Sequence, residues 1–214
     1  MNRLDILCAY LDKCETFADV GCDHGYCTLY MLKNGLCGQA YISDISEKCL
    51  SKAEMLLRDF IAEGKVVSEC CDGLGKIPYD CGQVLIAGMG GEEIIRILEN
   101  SFVPERFVFQ PMKNARQLRE FLLSRGAEIT YDGVFRCGDK FYFVIKGGRV
   151  GYKSVYSEAE LEFGKDLKSA DTKAYIENEL VKKRSYSERK MSAEHRAELT
   201  AQIAFIKRVL ENET

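Results

Sequence analysis

Residues Asp19-Val20-Gly21-Cys22-Asp23-His24-Gly25-Tyr26 constrain the fold of this 214-residue chain more than any other stretch. They follow a short apolar run, Thr16–Val20, and precede a helical pattern over Thr28–Lys33. An acid closes the strand, glycines let the backbone turn tightly, and the N-terminus of the next helix faces whatever lies beyond the turn. That grammar belongs to a βα unit of a parallel sheet.

The rest of the chain repeats the alternation. Arg3–Leu11 is expected to be an amphipathic helix. Strands are expected at Gln39–Ser43 (ending on Asp44), Val66–Cys70, Gln83–Ala87 and Arg106–Gln110. Helices are expected at Ser46–Ala62, with Ser46 as N-cap, at Glu92–Asn100 and at Ala115–Arg125, stopped by Gly126. Glu128–Cys137 and Lys140–Lys146 flank Gly138-Asp139, which is a hairpin signal. Strands alternating with helices give an α/β fold, a mostly parallel twisted sheet covered on both faces, with an antiparallel hairpin at its end.

Composition narrows the class. Only three prolines and a hydrophobic fraction of 46% describe an ordered globular protein. There is no apolar run of 18 residues and no signal-peptide pattern at the start, so a cytoplasmic protein without a membrane span is expected. The ten cysteines form no Cys-x-x-Cys pair and only two histidines accompany them. Free buried thiols are therefore expected, with no metal site. Cys22 and Cys27 flank the glycine turn and are expected to meet thiol reagents by proximity. The net charge of −3 hides an asymmetry: residues 1–95 hold 8 Lys and Arg against 15 Asp and Glu, and residues 96–149 hold 10 against 6.

After Gly147-Gly148 the chain becomes charged and helical. Leu199, Ile203, Ile206 and Leu210 make one apolar stripe, and Ile176 and Leu180 begin another. Two helices packed as an antiparallel coiled-coil hairpin, turning near Met191-Ser192-Ala193, are the simplest arrangement. This divides the chain into residues 1–150 and a helical element over 151–214.

The residue 19–26 segment resembles the first motif of S-adenosylmethionine-dependent methyltransferases with a Rossmann-like fold, with Asp23 in place of the middle glycine. The nicotinamide fingerprint Gly-x-Gly-x-x-Gly is absent, which counts against a dehydrogenase. In a doubly wound sheet the ligand lies beyond the carboxyl ends of the strands. Those ends carry Asp19, Gly21 and Asp23, then Asp44, then Asp72, then Gly88-Met89-Gly90-Gly91. A carboxylate only accepts hydrogen bonds, so Asp44 suits the two hydroxyls of an adenosine ribose and Asp72 suits an adenine amine. Each acid alone is equally a helix cap or a turn residue; their coincidence on one edge favours a site.

The combination of residues 19–26 with Asp72-Gly73-Leu74, Ile86-Ala87-Gly88-Met89-Gly90-Gly91 and Gln110-Pro111 resembles the bacterial family of tRNA (adenine-N1)-methyltransferases that act on adenine 22, in the D-loop region. The similarity covers residues 15–146 by motif and the tail by pattern. This chain departs from it with Gly25 for alanine, Cys71 where glycine is usual, and a shorter C-terminal region.

The resemblance implies S-adenosylmethionine as cofactor, tRNA as partner and adenine N1 as methyl acceptor. It implies that Asp19, Gly21, Gly25, Asp44, Ile45, Asp72, Gly73 and Gly88 bind cofactor. Asp23 and His24 fall at the junction with the substrate. Asp23 either stabilises charge on the product base or binds the cofactor's amino group, and His24 either takes part or caps the helix. Tyr26, Met89, Gly90, Asn114 and Arg116 are expected on the substrate side, although Asn114 and Arg116 equally suit a helix start. RNA contact is expected from Lys113, Arg116, Arg119, Arg125 and the basic stretch 182–190. A methyltransferase for a small molecule or protein, and a non-catalytic cofactor- or RNA-binding module, are the rival readings.

Overall fold

The computed structural model describes residues 2–149 and 155–212. Seven strands form one sheet in the order β3-β2-β1-β4-β5-β7-β6. They are β1 (Thr16–Val20), β2 (Gln39–Asp44), β3 (Val66–Cys70), β4 (Gln83–Ala87), β5 (Arg106–Gln110), β6 (Glu128–Cys137) and β7 (Lys140–Gly148). The first five are parallel, with Asp19 level with Ile42 on one side and Leu85 on the other. β7 runs antiparallel to β5 and pairs with β6 as a hairpin.

The period of two sorts the core onto the two faces of the sheet. Phe17, Leu85 and Val108 pack on one face with Leu7, Met31 and Leu57, from α1 (Arg3–Cys8), α2 (Tyr26–Lys33) and α3 (Glu47–Ala62). Val84, Ile86, Phe107 and Phe109 pack on the other with Ile94 and Leu118, from α4 (Gly91–Glu99) and α5 (Ala115–Ser124). Strands buried on both faces are near-continuous apolar runs, which is why β1, β4 and β5 have their expected bounds; the edge strand β3 has its expected bounds as well.

Differences lie at helix ends and in β7, which runs two residues further than expected, to Gly148. α1 stops at Cys8, where successive amides of Ala9, Tyr10 and Leu11 bond three residues back and tighten the chain toward β1. α2 begins two residues earlier than expected, because Gly25 serves as its N-cap in the left-handed region. Ser46 caps α3 as expected, its side chain accepting from the Cys49 amide.

The tail corrects the two-helix expectation. Among the described residues three helices follow the hairpin: α6 (Glu158–Phe163), α7 (Ala170–Ser187) and α8 (Ala193–Asn212). Ser157-Glu158-Ala159-Glu160 is a reciprocal capping box, and that sequence pattern is what marks α6. α7 and α8 pair as expected, Lys183 Nζ donating to Gln202 at 2.8 Å. The pair does not stand clear of the sheet: Tyr175 of α7 packs edge-on against Phe141 and Phe143 of β7, and the Arg136 amide of β6 donates to Asp171. A small core of Phe163, Leu167, Ile176, Ile206 and Val209 joins the three helices. The expected boundary at residues 150 and 151 lies outside the described residues.

Candidate active site

The carboxyl ends of β1 to β4 open onto one cavity of about 390 Å³. Asp19, Gly21, Asp23, His24, Tyr26, Asp44, Ile45, Asp72, Gly73, Gly88 and Met89 line it, so most of the expected site residues meet there.

The turn after β1 is built from left-handed backbone at alternate positions, Gly21 (φ +70°), Asp23 (φ +46°) and Gly25 (φ +71°). Only glycine adopts that region without steric cost, so Asp23 is held there by its partners. The amides of Gly21 and Cys22 both donate to the Ser43 carbonyl of β2. The Asp23 amide donates to Asp44 Oδ2 at 3.4 Å, while Asp44 Oδ1 accepts from the Ser46 amide at 2.9 Å.

The Asp23 side chain lies 2.8 Å from His24 Nδ1 and 3.4 Å from Lys52 Nζ of α3. Slight burial pushes its carboxyl up, but the contacts with His24 and Lys52 outweigh it and hold the group below the usual carboxylate range. The rings of His24 and Tyr26 stack at 5.6 Å and 8°. Half of Tyr26 is open to solvent at the cavity mouth (52% exposed). Asp19 is different. It is 5% exposed, accepts from Thr28 Oγ1 at 2.9 Å, and burial pushes its carboxyl up to about 7.

At the other end, both oxygens of Asp72 are held by Arg96 of α4, at 2.7 and 3.1 Å. That bidentate contact keeps the Asp72 carboxyl low. Gly73 (φ +60°) leaves no room for a side chain, since a Cβ would fall 2.7 Å from Ile97 Cγ2. The turn after β4 is pinned to the turn after β5: Gly88 donates to the Gln110 carbonyl, Met112 to that of Met89, and Gly91 to that of Lys113. Met89 thereby lies over Gly21, where any Cβ would collide with its side chain.

Gly25, Gly90, Asn114 and Arg116 do not line this cavity. Gly25 lets α2 approach α3: a Cβ there would sit 3.0 Å from Ala53 Cβ and 3.1 Å from Leu57. Gly90 packs on the Lys113 stem, and the Asn114 carbonyl closes against Gly91. Asn114 opens α5 with φ +57° and without a side-chain cap. Arg116 is held by Glu120, Glu158 and Glu162, tying α5 to α6 beside a second cavity of about 420 Å³.

Two further expectations are corrected. Arg119 is fully buried against Asp132 and reaches no RNA; its spacing on α5 places it on the inner face. Cys22 and Cys27 are buried and their thiols are pushed up, Cys22 chiefly by burial and Cys27 chiefly by its contact with Cys8, so neither is a ready nucleophile. Among the described residues the ten cysteines are free thiols, and no cluster of His, Cys, Asp and Glu is arranged to hold a metal ion. No described helix is long and apolar enough to cross a membrane.

Sequence reasoning missed Arg3, Glu93 and Arg96, which also line the cavity. Glu93 lies in the first turn of α4 and Arg96 three residues on, in its last turn, so the helix after the glycine turn was their signal. Arg3 carried none. It reaches the cavity from α1, where its Nη1 donates to Gln110 Oε1 at 3.1 Å, 107 residues away.

Comparison with known proteins agrees with this geometry. A family model described as a methyltransferase domain matches residues 1–145. A Mycoplasma pneumoniae protein assigned as a tRNA methyltransferase is 31% identical over 158 residues, 72% of this chain and 74% of that one. The Bacillus subtilis tRNA (adenine(22)-N(1))-methyltransferase is 25% identical over 168 residues, 76% of this chain and 71% of its own. Among solved structures, that of M. capricolum TrmK with S-adenosylhomocysteine superposes with a TM-score of 0.88 at 24% identity, covering 98% of this chain and 96% of that one. That last likeness is one of fold.

Proposed function

The chain belongs to the methyltransferase-domain family, and we propose that it transfers the methyl group of S-adenosylmethionine to N1 of an adenine in tRNA, adenine 22 of the D-loop region. The observation that carries the reading is the convergence of Asp19, Asp44, Asp72 and the two glycine turns on one cavity with an ionised Asp23 at its mouth. The resemblance of the same motifs to the adenine-22 family supplies the base.

The cavity fits the cofactor. At about 390 Å³ it lies in the range of small-molecule sites. Gly21, Gly73 and Gly88 all have positive φ and leave the cradle free of Cβ atoms. Asp44 takes the ribose hydroxyls. Asp72 has lone pairs left beside Arg96 and takes the adenine amine. Gly21 and Gly88 allow close approach of the methionyl part, and Ile45 covers the adenosine. The bound cofactor supplies an electrophilic methyl group on a positively charged sulfur.

The protein's share of the chemistry is positional. Adenine N1 has an in-plane lone pair and needs no base to deprotonate it. The site has to hold nitrogen, methyl and sulfur in line. N1 is hidden in folded RNA, so the base is flipped out to reach the cavity. Tyr26 and Met89 border its entrance and contact the base. The product base is cationic, and Asp23, fixed by His24 and Lys52, stabilises the developing charge. Residues 151–214 grip the tRNA outside the cavity, and a cytoplasmic setting accompanies that substrate.

The test is incubation with unmodified bacterial tRNA and methyl-labelled S-adenosylmethionine, followed by nucleoside analysis. Label in 1-methyladenosine at position 22 is the expected outcome. Cofactor binding without label in tRNA would redirect the assignment to a small-molecule or protein acceptor. Loss of both would leave a non-catalytic module.

A further inference from the structure

We propose that Arg3 is the cofactor-carboxylate ligand of this site, a role that rests on the methyltransferase reading above. Two arginines line the cavity, at opposite ends. Arg96 is engaged through both terminal nitrogens by Asp72. Arg3 is not: its Nη1 donates to the neutral Gln110 Oε1 at 3.1 Å and lies 3.6 Å from Met112 Sδ. Its guanidinium also stands 5.8 Å from the Tyr142 ring centroid. Among the described residues no carboxylate forms an ion pair with it, so it brings an uncompensated positive charge to the cavity wall.

The position of that charge selects the ligand group. Arg3 Nη1 comes within 3.5 Å of where a Cβ on Gly88 would sit. That is the β4 end, which the glycine turns leave open for the methionyl part. Asp72 and Arg96 occupy the opposite, β3 end. An amino-acid tail carries an ammonium and a carboxylate. The acids Asp19, Asp23, Asp44, Asp72 and Glu93 answer positive charge along this wall. Among the described lining side chains, Arg96 is engaged by Asp72 and His24 by Asp23, which leaves Arg3 to answer a carboxylate. Gln110, Met112 and Tyr142 fix the Arg3 head from one side, and among the described residues Nε and Nη2 have no hydrogen-bond partner, which suits a planar carboxylate.

The experiment is titration calorimetry with two ligands that share the adenosine and the thioether. S-adenosylhomocysteine carries the amino-acid tail; 5′-methylthioadenosine lacks it. Arg3→Gln is expected to weaken S-adenosylhomocysteine by roughly ten- to a hundredfold, as loss of a charged hydrogen-bond partner does. Its affinity for methylthioadenosine should stay within about twofold of the unmodified protein, which also reports an intact cavity. Arg3→Lys should recover part of the loss, since the charge returns without the fork. Equal weakening of both ligands would overturn the assignment, because Arg3 would then support the cavity as a whole. No change in either ligand, with weaker tRNA binding instead, would overturn it in favour of an RNA phosphate. If the unmodified protein binds neither ligand, the cofactor reading fails and this assignment falls with it.

Discussion

Arg119 of α5 and Asp132 of β6 form an ion pair in which neither side chain has any exposure to solvent, with nitrogen–oxygen distances of 2.7 and 2.9 Å. Tyr156 donates to the same carboxylate at 2.9 Å, and the remaining Arg119 nitrogen donates to the carbonyls of Leu161 and Glu162 at the end of α6. The pair therefore joins the sheet, α5 and the tail. Removing one partner leaves a buried charge uncompensated. Asp132→Ala is expected to cost about 3–5 kcal/mol of stability. Urea unfolding measures it, and a loss under 1 kcal/mol would contradict the assignment.

Asp19 sets a pH dependence of stability. An unfolded aspartate titrates near 4, whereas folded Asp19 titrates at about 7. Between those values the native state keeps a proton that the unfolded chain has released. The Asp19 contribution to stability therefore falls as pH rises from about 4 to about 7, and stays lost above that. Asp19→Asn carries no such proton. Its stability relative to the unmodified protein should improve by at least about 1 kcal/mol between pH 5 and pH 8. Parallel pH profiles for the two proteins would show that Asp19 is not the group concerned.

The role proposed for Asp23 is to act on charge rather than on cofactor affinity. Asp23→Asn keeps the size of the side chain and removes the ionised form that His24 and Lys52 favour. Single-turnover methyl transfer should slow by roughly a hundredfold, the scale of losing one preorganised electrostatic partner. S-adenosylhomocysteine affinity should change less than about threefold on the same electrostatic argument. Equal transfer rates would remove Asp23 from the chemistry, and parallel losses of rate and affinity would make it a cofactor ligand.

Gly73 tests the shape of the end of the cavity proposed to hold adenine. Alanine there meets both a left-handed backbone and Ile97 at 2.7 Å. Ser43 Oγ donates to the Gly73 carbonyl at 3.1 Å, so the turn cannot easily move away. Gly73→Ala should lower S-adenosylhomocysteine affinity at least about tenfold and cost roughly 1–3 kcal/mol of stability. Wild-type affinity by calorimetry would mean that Ile97 yields.

The contrast between Asp44 and Arg3 explains what was legible beforehand. Asp44 closes β2, and Asp72 and the glycine turns follow their strands by one or two residues. Once the strands are recognised, parallel topology alone brings their ends to one edge. Arg3–Gln110 and Arg119–Asp132 depend instead on which helix face meets which strand, across 107 and 13 residues. The basic run in α5 showed the same limit. Arg116 and Arg119 are three positions apart, yet one is tied to surface glutamates and the other is buried. Charge counting cannot separate them, because helix phase decides.

With those two arginines engaged, the surface proposed to meet RNA is the end of α7. Lys182 is paired with Glu179 and Lys183 with Gln202. Arg184, Arg189 and Lys190 are at the surface, and Arg189 lies 4.9 Å from the exposed ring of Tyr186, giving a cation beside an aromatic face. Each phosphate that a cation neutralises releases condensed counterions, so tRNA affinity should fall steeply with salt. Reversing all three charges, Arg184→Glu, Arg189→Glu and Lys190→Glu, should weaken tRNA binding. It should also flatten the plot of log affinity against log salt by roughly 0.7–0.9 for every phosphate no longer neutralised. α7 contributes nothing to the lining of the cofactor cavity, so S-adenosylhomocysteine affinity should not change. Filter binding across a salt series decides it. An unchanged slope would move the RNA path off α7, onto Lys113 and Arg125 at the two ends of α5.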